Sequence, residues 1–295
     1  MKFKQLSIAA LVLLVLSGCA KPPAAAELAA TTLPVWEFTS QLCRGTELQV
    51  TRLVTEQVSC LHDYSLNVRQ VKATEGADAV VISGAGLEDF LNDLLLDAPV
   101  IDASGGIPLL CAQEEDHDDH DAHDGDGHHH EEDPHIWLSP TNAKVMAENI
   151  CAGLSRQYPQ YSDQFHENLA ELTDRLVQLQ QYGEETLSSL KCRNLITFHD
   201  GFSYFAQAFD LTILEALEEE SGSEASAKEL IHLIEDVEDY RLPAIFTEVS
   251  GSTSAAEIIA RETGCAVYAL DMAMSGDSYF TAMYHNIDII KEALG

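Results

Sequence analysis

The sequence predicts an α/β protein built as two parallel-sheet α/β lobes bridged by one long, rigid helix. Two observations lead there. Short β-rich runs alternate with helical stretches in both halves of the 295-residue chain, the pattern of parallel strands joined by crossover helices. Between the halves, residues 160–190 contain no proline and one glycine, Gly183, and carry Phe165, Leu169, Leu172, Leu176, Leu179 and Leu187 as a single helical stripe. A continuous helix there is about 45 Å long at about 1.5 Å per residue, enough to span two domains. A helical hairpin broken near Gly183 is the competing reading.

In chain order, Lys2 and Lys4 precede an apolar run from Leu6 to Leu16 that ends in Leu16-Ser17-Gly18-Cys19. The run is too short for a relaxed transmembrane helix and has the length of a signal-peptide core. A cysteine directly after Leu-Ser-Gly resembles the bacterial lipoprotein cleavage box, so residues 1–19 read as a signal peptide with a lipidated Cys19; an ordinary secretory signal is the alternative. Residues 20–32 then form a flexible tether, 33–140 a first lobe, 141–190 connecting helices and 191–295 a second lobe. In the first lobe, residues 34–42 precede a helix stop at Gly45. Strands are expected at 48–54, 78–83, 99–103 and 107–111, and helices at 67–73 and 87–96. Helices follow at 141–158 and 160–190. The second lobe places strands at 194–198, 211–217, 243–247 and 266–270. Its helices fall at 202–209, 228–240, 254–263 (closed by Gly264) and 278–294, and an acidic connection occupies 218–226.

The formal net charge is −33, from 49 acidic and 16 basic residues. Phosphate recognition needs clustered Lys and Arg, so nucleic acid is excluded as a partner and anionic substrates are disfavoured. An acidic surface instead concentrates cations. Of seven cysteines, six remain if Cys19 is lipidated: Cys43, Cys60, Cys111, Cys151, Cys192 and Cys265. No CxxC spacing occurs among them, which argues against a thiolate zinc site. Up to three disulfides or buried free thiols are both compatible with them.

Residues 114–132 are the most unusual stretch. His117, His120, His123, His128, His129 and His130 are interleaved with Asp and Glu, with Gly125 and Gly127 between them and no aliphatic side chain larger than Ala122. Such a segment cannot offset its ordering entropy by burial and reads as a mobile loop. Imidazole and carboxylate without thiolate suit Zn²⁺ or a similar divalent cation. An incidental acidic loop or a cloning tag fits poorly with six interior, Asp-interleaved histidines. Directly after it comes DPHIWLSP, with His135 between Pro134 and Ile136.

Ligands of open α/β sheets bind beyond the carboxyl ends of the strands. His199 and Asp271 sit there, each directly after a five-residue apolar run, while His62 lies in the loop after the 48–54 strand. With His135, two candidate ligands come from each half, which places a metal site in the cleft between lobes. Three imidazoles and a carboxylate make a closed four-coordinate shell, suited to binding more than to catalysis. Taken singly, His62 and His199 also fit satisfied core or cap histidines, and Asp271 fits a helix N-cap.

The segments LHDY at 61–64, DPHIWLSP at 133–140, ITFHDGFSYFAQAFDL at 196–211, IFTE at 245–248, ALD at 269–271 and SYFTAMYHNIDIIKEAL at 278–294 resemble the zinc and manganese substrate-binding lipoproteins of bacterial ABC importers (solute-binding protein family 9). That resemblance covers nearly the whole chain after Cys19. It implies two α/β lobes bridged by a rigid helix, metal held between them, and delivery to an ABC permease. Its ligands fall on His62, His135, His199 and Asp271, with Glu248 as a reserve ligand or a group that orients one. A histidine at the third position and a His-rich loop before the second imply Zn²⁺ over Mn²⁺. The expectation is thus an extracytoplasmic, lipid-anchored, monomeric zinc-binding protein that is not an enzyme. The alternatives are a manganese-binding relative, a surface adhesin that happens to bind metal, or a zinc hydrolase using three histidines with Glu248 as general base.

Overall fold

The structure, a computed structural model, describes residues 27–58, 61, 64–95, 98–111, 132–217 and 225–295. The proposed signal peptide with Cys19, residues 20–26, Cys60, His62, the six loop histidines and residues 218–224 lie outside the described residues. The first lobe runs β1 (Glu27–Ala30), α1 (Leu33–Leu42), β2 (Gln49–Arg52), α2 (Val68–Glu75), β3 (Ala79–Ile82) and β4 (Val100–Asp102). Helices α3 (Pro140–Gln157) and α4 (Ser162–Leu187) follow. The second lobe runs β5 (Asn194–Thr197), α5 (Ser203–Ala208), β6 (Thr212–Ala216), α6 (Ala227–Asp239), β7 (Ala244–Glu248), α7 (Ser254–Thr263), β8 (Ala266–Leu270) and α8 (Tyr279–Leu294).

The two sheets have the same winding. The orders are β2-β1-β3-β4 and β6-β5-β7-β8, with every pair parallel. In each, the chain leaves the first strand toward one edge and returns on its other side, creating a switch point where adjacent loops diverge. Local chemistry sets the boundaries. Asn67 and Ser226 each form a capping box, with Gln70 and Glu229 respectively; Ser139 caps α3 ahead of Pro140; and Gly264 ends α7 with a left-handed turn at φ 79°.

Three expectations are overturned. Residues 27–30 are not tether but β1, an interior strand with Leu28, Ala29 and Ala30 buried. Leu-Ala-Ala is too short and too small to announce a strand, and only its neighbours on both sides make it one. Residues 87–96 do not form an amphipathic helix; a 3₁₀ turn spans Asp89–Leu91, closed by three-residue hydrogen bonds such as Leu91 N to Glu88 O at 2.8 Å. The competing demand is Glu88, whose buried carboxylate accepts from Thr31 Oγ1 at 2.6 Å, Ser83 N at 2.7 Å and Gly84 N at 3.0 Å. Residues 107–111 form no strand either. Pro108 has no N–H to give, and Leu110 N donates to Tyr204 Oη at 2.9 Å. Cys111 alone makes an isolated antiparallel bridge, with Glu132.

Helix α4 is continuous, 26 residues or about 39 Å at about 1.5 Å per residue. Phe165, Leu172, Leu176, Leu179 and Leu187 are buried along it and lie in one core that also contains Leu28 and Phe38 of the first lobe and Met283 and Ile290 of the second. Asn168, on the same face, donates to Leu42 O at 2.7 Å and Arg44 O at 2.8 Å, satisfying the carbonyls at the end of α1. Among the described residues the five cysteines, Cys43, Cys111, Cys151, Cys192 and Cys265, are free thiols. Burial pushes Cys43 up to about 12, as expected of a thiol serving as a small hydrophobe.

Gly183 does not break α4. Its missing side chain makes room for the Phe209 ring, which a Cβ there would strike. Gly183→Ala should therefore destabilise the protein by roughly 1–3 kcal/mol, although alanine exceeds glycine in helix propensity by about 1 kcal/mol. Urea denaturation would check this; an unchanged or raised midpoint would show that Phe209 yields freely.

Candidate metal centre between the lobes

His135 enters from the first lobe. Pro134 keeps the preceding chain extended, and Asp133 grips the histidine twice through one oxygen: Oδ1 accepts from His135 N at 2.9 Å and lies 2.8 Å from its Nδ1. Both residues are 2 % exposed. A carboxylate on Nδ1 selects the tautomer with its proton there and leaves Nε2 as an outward lone pair. Trp137, two residues on, is fully buried; its Nε1 donates to Met272 O at 2.8 Å, and its carbonyl accepts from Tyr279 Oη at 2.8 Å.

His199 enters from the second lobe, directly beyond β5 at that sheet's switch point. It is 7 % exposed, and its Nδ1 lies 3.4 Å from Oε1 of Glu248, the last residue of β7. A Cβ at Gly201 would sit 2.7 Å from His199 Cδ2 and 3.0 Å from Nε2, so the glycine of the His-Asp-Gly run lets the ring lie against its own turn. The two rings meet edge to face with centroids 5.2 Å apart and Nε2 atoms 3.4 Å apart. Two bonds of about 2.0–2.1 Å to a tetrahedral Zn²⁺ would place their nitrogens about 3.3–3.4 Å apart. The observed separation is within hydrogen-bonding reach and also matches that spacing.

Asp271 follows β8 beside them. Buried Asn286 of α8 fixes its backbone, accepting from Asp271 N at 2.8 Å and donating to Asp271 O at 2.7 Å. The carboxylate folds over its own loop, Oδ1 accepting from Ala273 N at 2.8 Å. Burial, reinforced by the Asp271 charge, pushes the Glu248 carboxyl up to about 8. A cleft of about 340 Å³, counting its open mouth, borders Glu248, Asp271 and Met272 on one side and Gln57 and Val58 on the other.

Of the residues singled out in the sequence, the structure brings His135, His199, Glu248 and Asp271 into one region, the first two in direct contact. His62 lies outside the described residues, although its neighbour Leu61 is buried in the common core. Sequence reasoning missed Asp133, Trp137 and Asn286 as supporting groups. A carboxylate two residues before a buried histidine was a signal that could have found Asp133. Trp137 and Asn286 act on partners 135 and 15 residues away, with no local mark.

Imidazoles and carboxylates gathered between two parallel-sheet lobes, which one continuous helix bridges, form a candidate site for a divalent cation in a two-lobed α/β protein. The chain belongs to the family described as zinc-uptake complex component A, periplasmic, whose model matches residues 28–293. It is 31% identical, over 99% of its own length, to the zinc-binding lipoprotein AdcA of Streptococcus pneumoniae strain R6, and 27% identical over 88% to the zinc-binding protein AdcA of Streptococcus pyogenes serotype M3. It spans 61% and 54% of those curated relatives' lengths. Among solved structures, a crystal structure of ZnuA superposes with TM-score 0.78 at 29% identity, covering 92% of this chain and 100% of that one. The Zn(II)-bound ZnuA-like domain of Streptococcus pneumoniae AdcA gives 0.75 at 27%, covering 91% and 98%.

Glu248 has a pH signature in the metal-free protein. Its carboxyl moves from 4.5 to about 8 on folding, so between those values the folded state holds a proton that the unfolded chain has released. Stability from this group is therefore lost as pH rises through that window. Metal-free Glu248→Gln should match wild type at pH ~4.5 and exceed it at pH ~8.5. Chemical denaturation in chelator at both values would check this; a variant less stable than wild type at the higher pH would contradict it.

Proposed function

We propose that this chain captures Zn²⁺ in the inter-lobe cleft from outside the cytoplasm and hands it to an ABC permease as the binding component of a zinc importer. The observation that carries the reading is the His135–His199 pair: imidazoles from different lobes, each with Nδ1 beside a buried carboxylate, with Nε2 atoms 3.4 Å apart. Without metal the two nitrogens are within hydrogen-bonding reach of each other, and the same spacing suits a small tetrahedral cation that takes a lone pair from each. Asp271 supplies the anionic donor, and His62, from the loop after β2, the fourth ligand. Nitrogen-rich donation favours Zn²⁺ over Mn²⁺. Family membership and the zinc-binding relatives support the cargo; the Leu-Ser-Gly-Cys sequence supports anchoring through Cys19 to the cell membrane.

Glu248 serves this reading by orienting His199. The hydrolase alternative would need the same carboxylate aimed at a metal-bound water, whereas Glu248 is 5 % exposed and turned to the far side of the His199 ring. The histidines of 114–132, which precede His135 in the chain, serve as a collector or sensor of zinc weaker than the cleft.

Replacing His135, His199 or Asp271 with Ala should weaken zinc binding by more than roughly 100-fold, and Glu248→Gln by less, as the loss of an orienting group costs about 10- to 100-fold. Competition against a chromophoric chelator measures this; wild-type affinity in His199→Ala would sink the assignment.

Deleting residues 114–131 should lower total zinc stoichiometry and leave one tight site. Loop binding should also fade first on acidification, because histidine ordinarily titrates near pH ~6.5. Calorimetry on the two proteins decides: loss of tight binding in the deletion would place the loop in the primary site.

A further inference from the structure

We propose that Arg52 is the positioning residue for Asp271: from the end of β2 its guanidinium holds the 272–276 loop of the opposite lobe and, through that loop, the Asp271 carboxylate. The inference rests on the reading of Asp271 as a zinc ligand.

The loop after Asp271 has little holding it locally. Ala273 sits at φ 54° and Gly276 at φ 93°, and a left-handed alanine costs roughly 1–2 kcal/mol. Ala273 is also the residue whose N–H donates to Asp271 Oδ1, so the carboxylate keeps its direction only while that strained residue keeps its conformation. The restraint comes from the first lobe, which catches three alternate carbonyls. Trp137 Nε1 takes Met272 O at 2.8 Å. Leu33 N and an Arg52 terminal nitrogen take Met274 O at 3.3 and 3.2 Å. The other Arg52 terminal nitrogen takes Gly276 O at 2.8 Å. Arg52 is the one side chain among these that spans two of the carbonyls.

The guanidinium is itself held in place. Its Nε donates to Val54 O at 2.6 Å, the Trp36 ring lies 6.0 Å from its central carbon, and the carboxylates of Asp277 and Glu56 favour its charge against the cost of burial. Val54 begins the stretch leading toward residue 62, so one planar group ties the end of the first-lobe strand to the loop carrying the second-lobe carboxylate. Lysine could reproduce the charge but not the fork, which needs donors in fixed, diverging directions.

The test compares Arg52→Met, Arg52→Lys, Asp271→Asn and the double variant Arg52→Met/Asp271→Asn in the full chain. Zinc affinity is read by chelator competition, zinc release by stopped-flow transfer to excess chelator, and metal-free folding by circular dichroism. Both Arg52 variants should bind zinc about 10- to 100-fold more weakly, mainly through faster release, and the double variant should be no weaker than Asp271→Asn alone. Wild-type affinity in Arg52→Lys would show that charge suffices and overturn the proposal. Additive losses in the double variant would overturn it too, because Arg52 would then act elsewhere. If Asp271→Asn is weak and Arg52→Met is not, positioning fails and the ligand reading stands. If Asp271→Asn binds like wild type, the ligand reading itself falls. Should Arg52→Met fail to fold, Arg52→Lys and its double variant with Asp271→Asn carry the test.

Discussion

The lobe interface is organised around two imidazoles, one from each lobe, held in direct contact. Their Nε2 atoms lie 3.4 Å apart; for one small cation to bind both, that distance could vary by only tenths of an ångström, since metal–nitrogen bonds vary little. Histidines on separate domains joined by a flexible linker would not meet that requirement, because inter-domain motion is the default for small polar interfaces. Here the lobes are not separate bodies. One core runs from the first sheet through α4 to α8, so relative movement would have to open buried apolar surface worth about 25 cal/mol per Å².

Onto that frame the polar groups at the lobe interface add direction. Trp137 donates to one lobe while its carbonyl accepts from Tyr279 of the same lobe, which fixes the segment bearing His135 relative to the loop bearing Asp271. Tyr204, on the helix after His199, accepts from Leu110 N and donates to Asp133 O at 3.0 Å, joining His199's neighbourhood to the carboxylate that orients His135. Each is a buried group with a partner, so losing one would leave a desolvated donor or acceptor behind. Such bonds fix these segments relative to one another, and burial together with the nearby Asp271 charge raises the Glu248 carboxyl.

Much of this was legible in the chain. Alternating strands and helices predicted two parallel sheets because crossover connections impose that order, and the stripe along α4 predicted one helix because apolar spacing survives any tertiary setting. His135, His199 and Asp271 stood out in the chain as candidate ligands because they follow apolar runs at the ends of strands or lie in a compact apolar motif, and the structure gathers them with Glu248 between the lobes. The His-rich 114–132 segment advertised metal chemistry through composition alone. The failures share a cause. Strand β1 is four residues, Glu-Leu-Ala-Ala, whose burial comes from neighbours on both sides, and the expected 87–96 helix gives way to the hydrogen-bonding demand of Glu88, whose partners Thr31 and Ser83 lie just past β1 and β3.

Periodicity, turn chemistry and composition act within a few residues, so the sequence by itself determined the order of elements, the long bridging helix, the acidic character and the candidate donors. The tertiary structure decided what those donors face. Arg52 meets Gly276 across 224 residues and Asn168 meets Leu42 across 126, and neither pairing leaves a local trace. The 3.4 Å approach of two histidines 64 residues apart arises only when both sheets pack on α4, because distance between side chains is a property of the packed core and not of the residues that supply them.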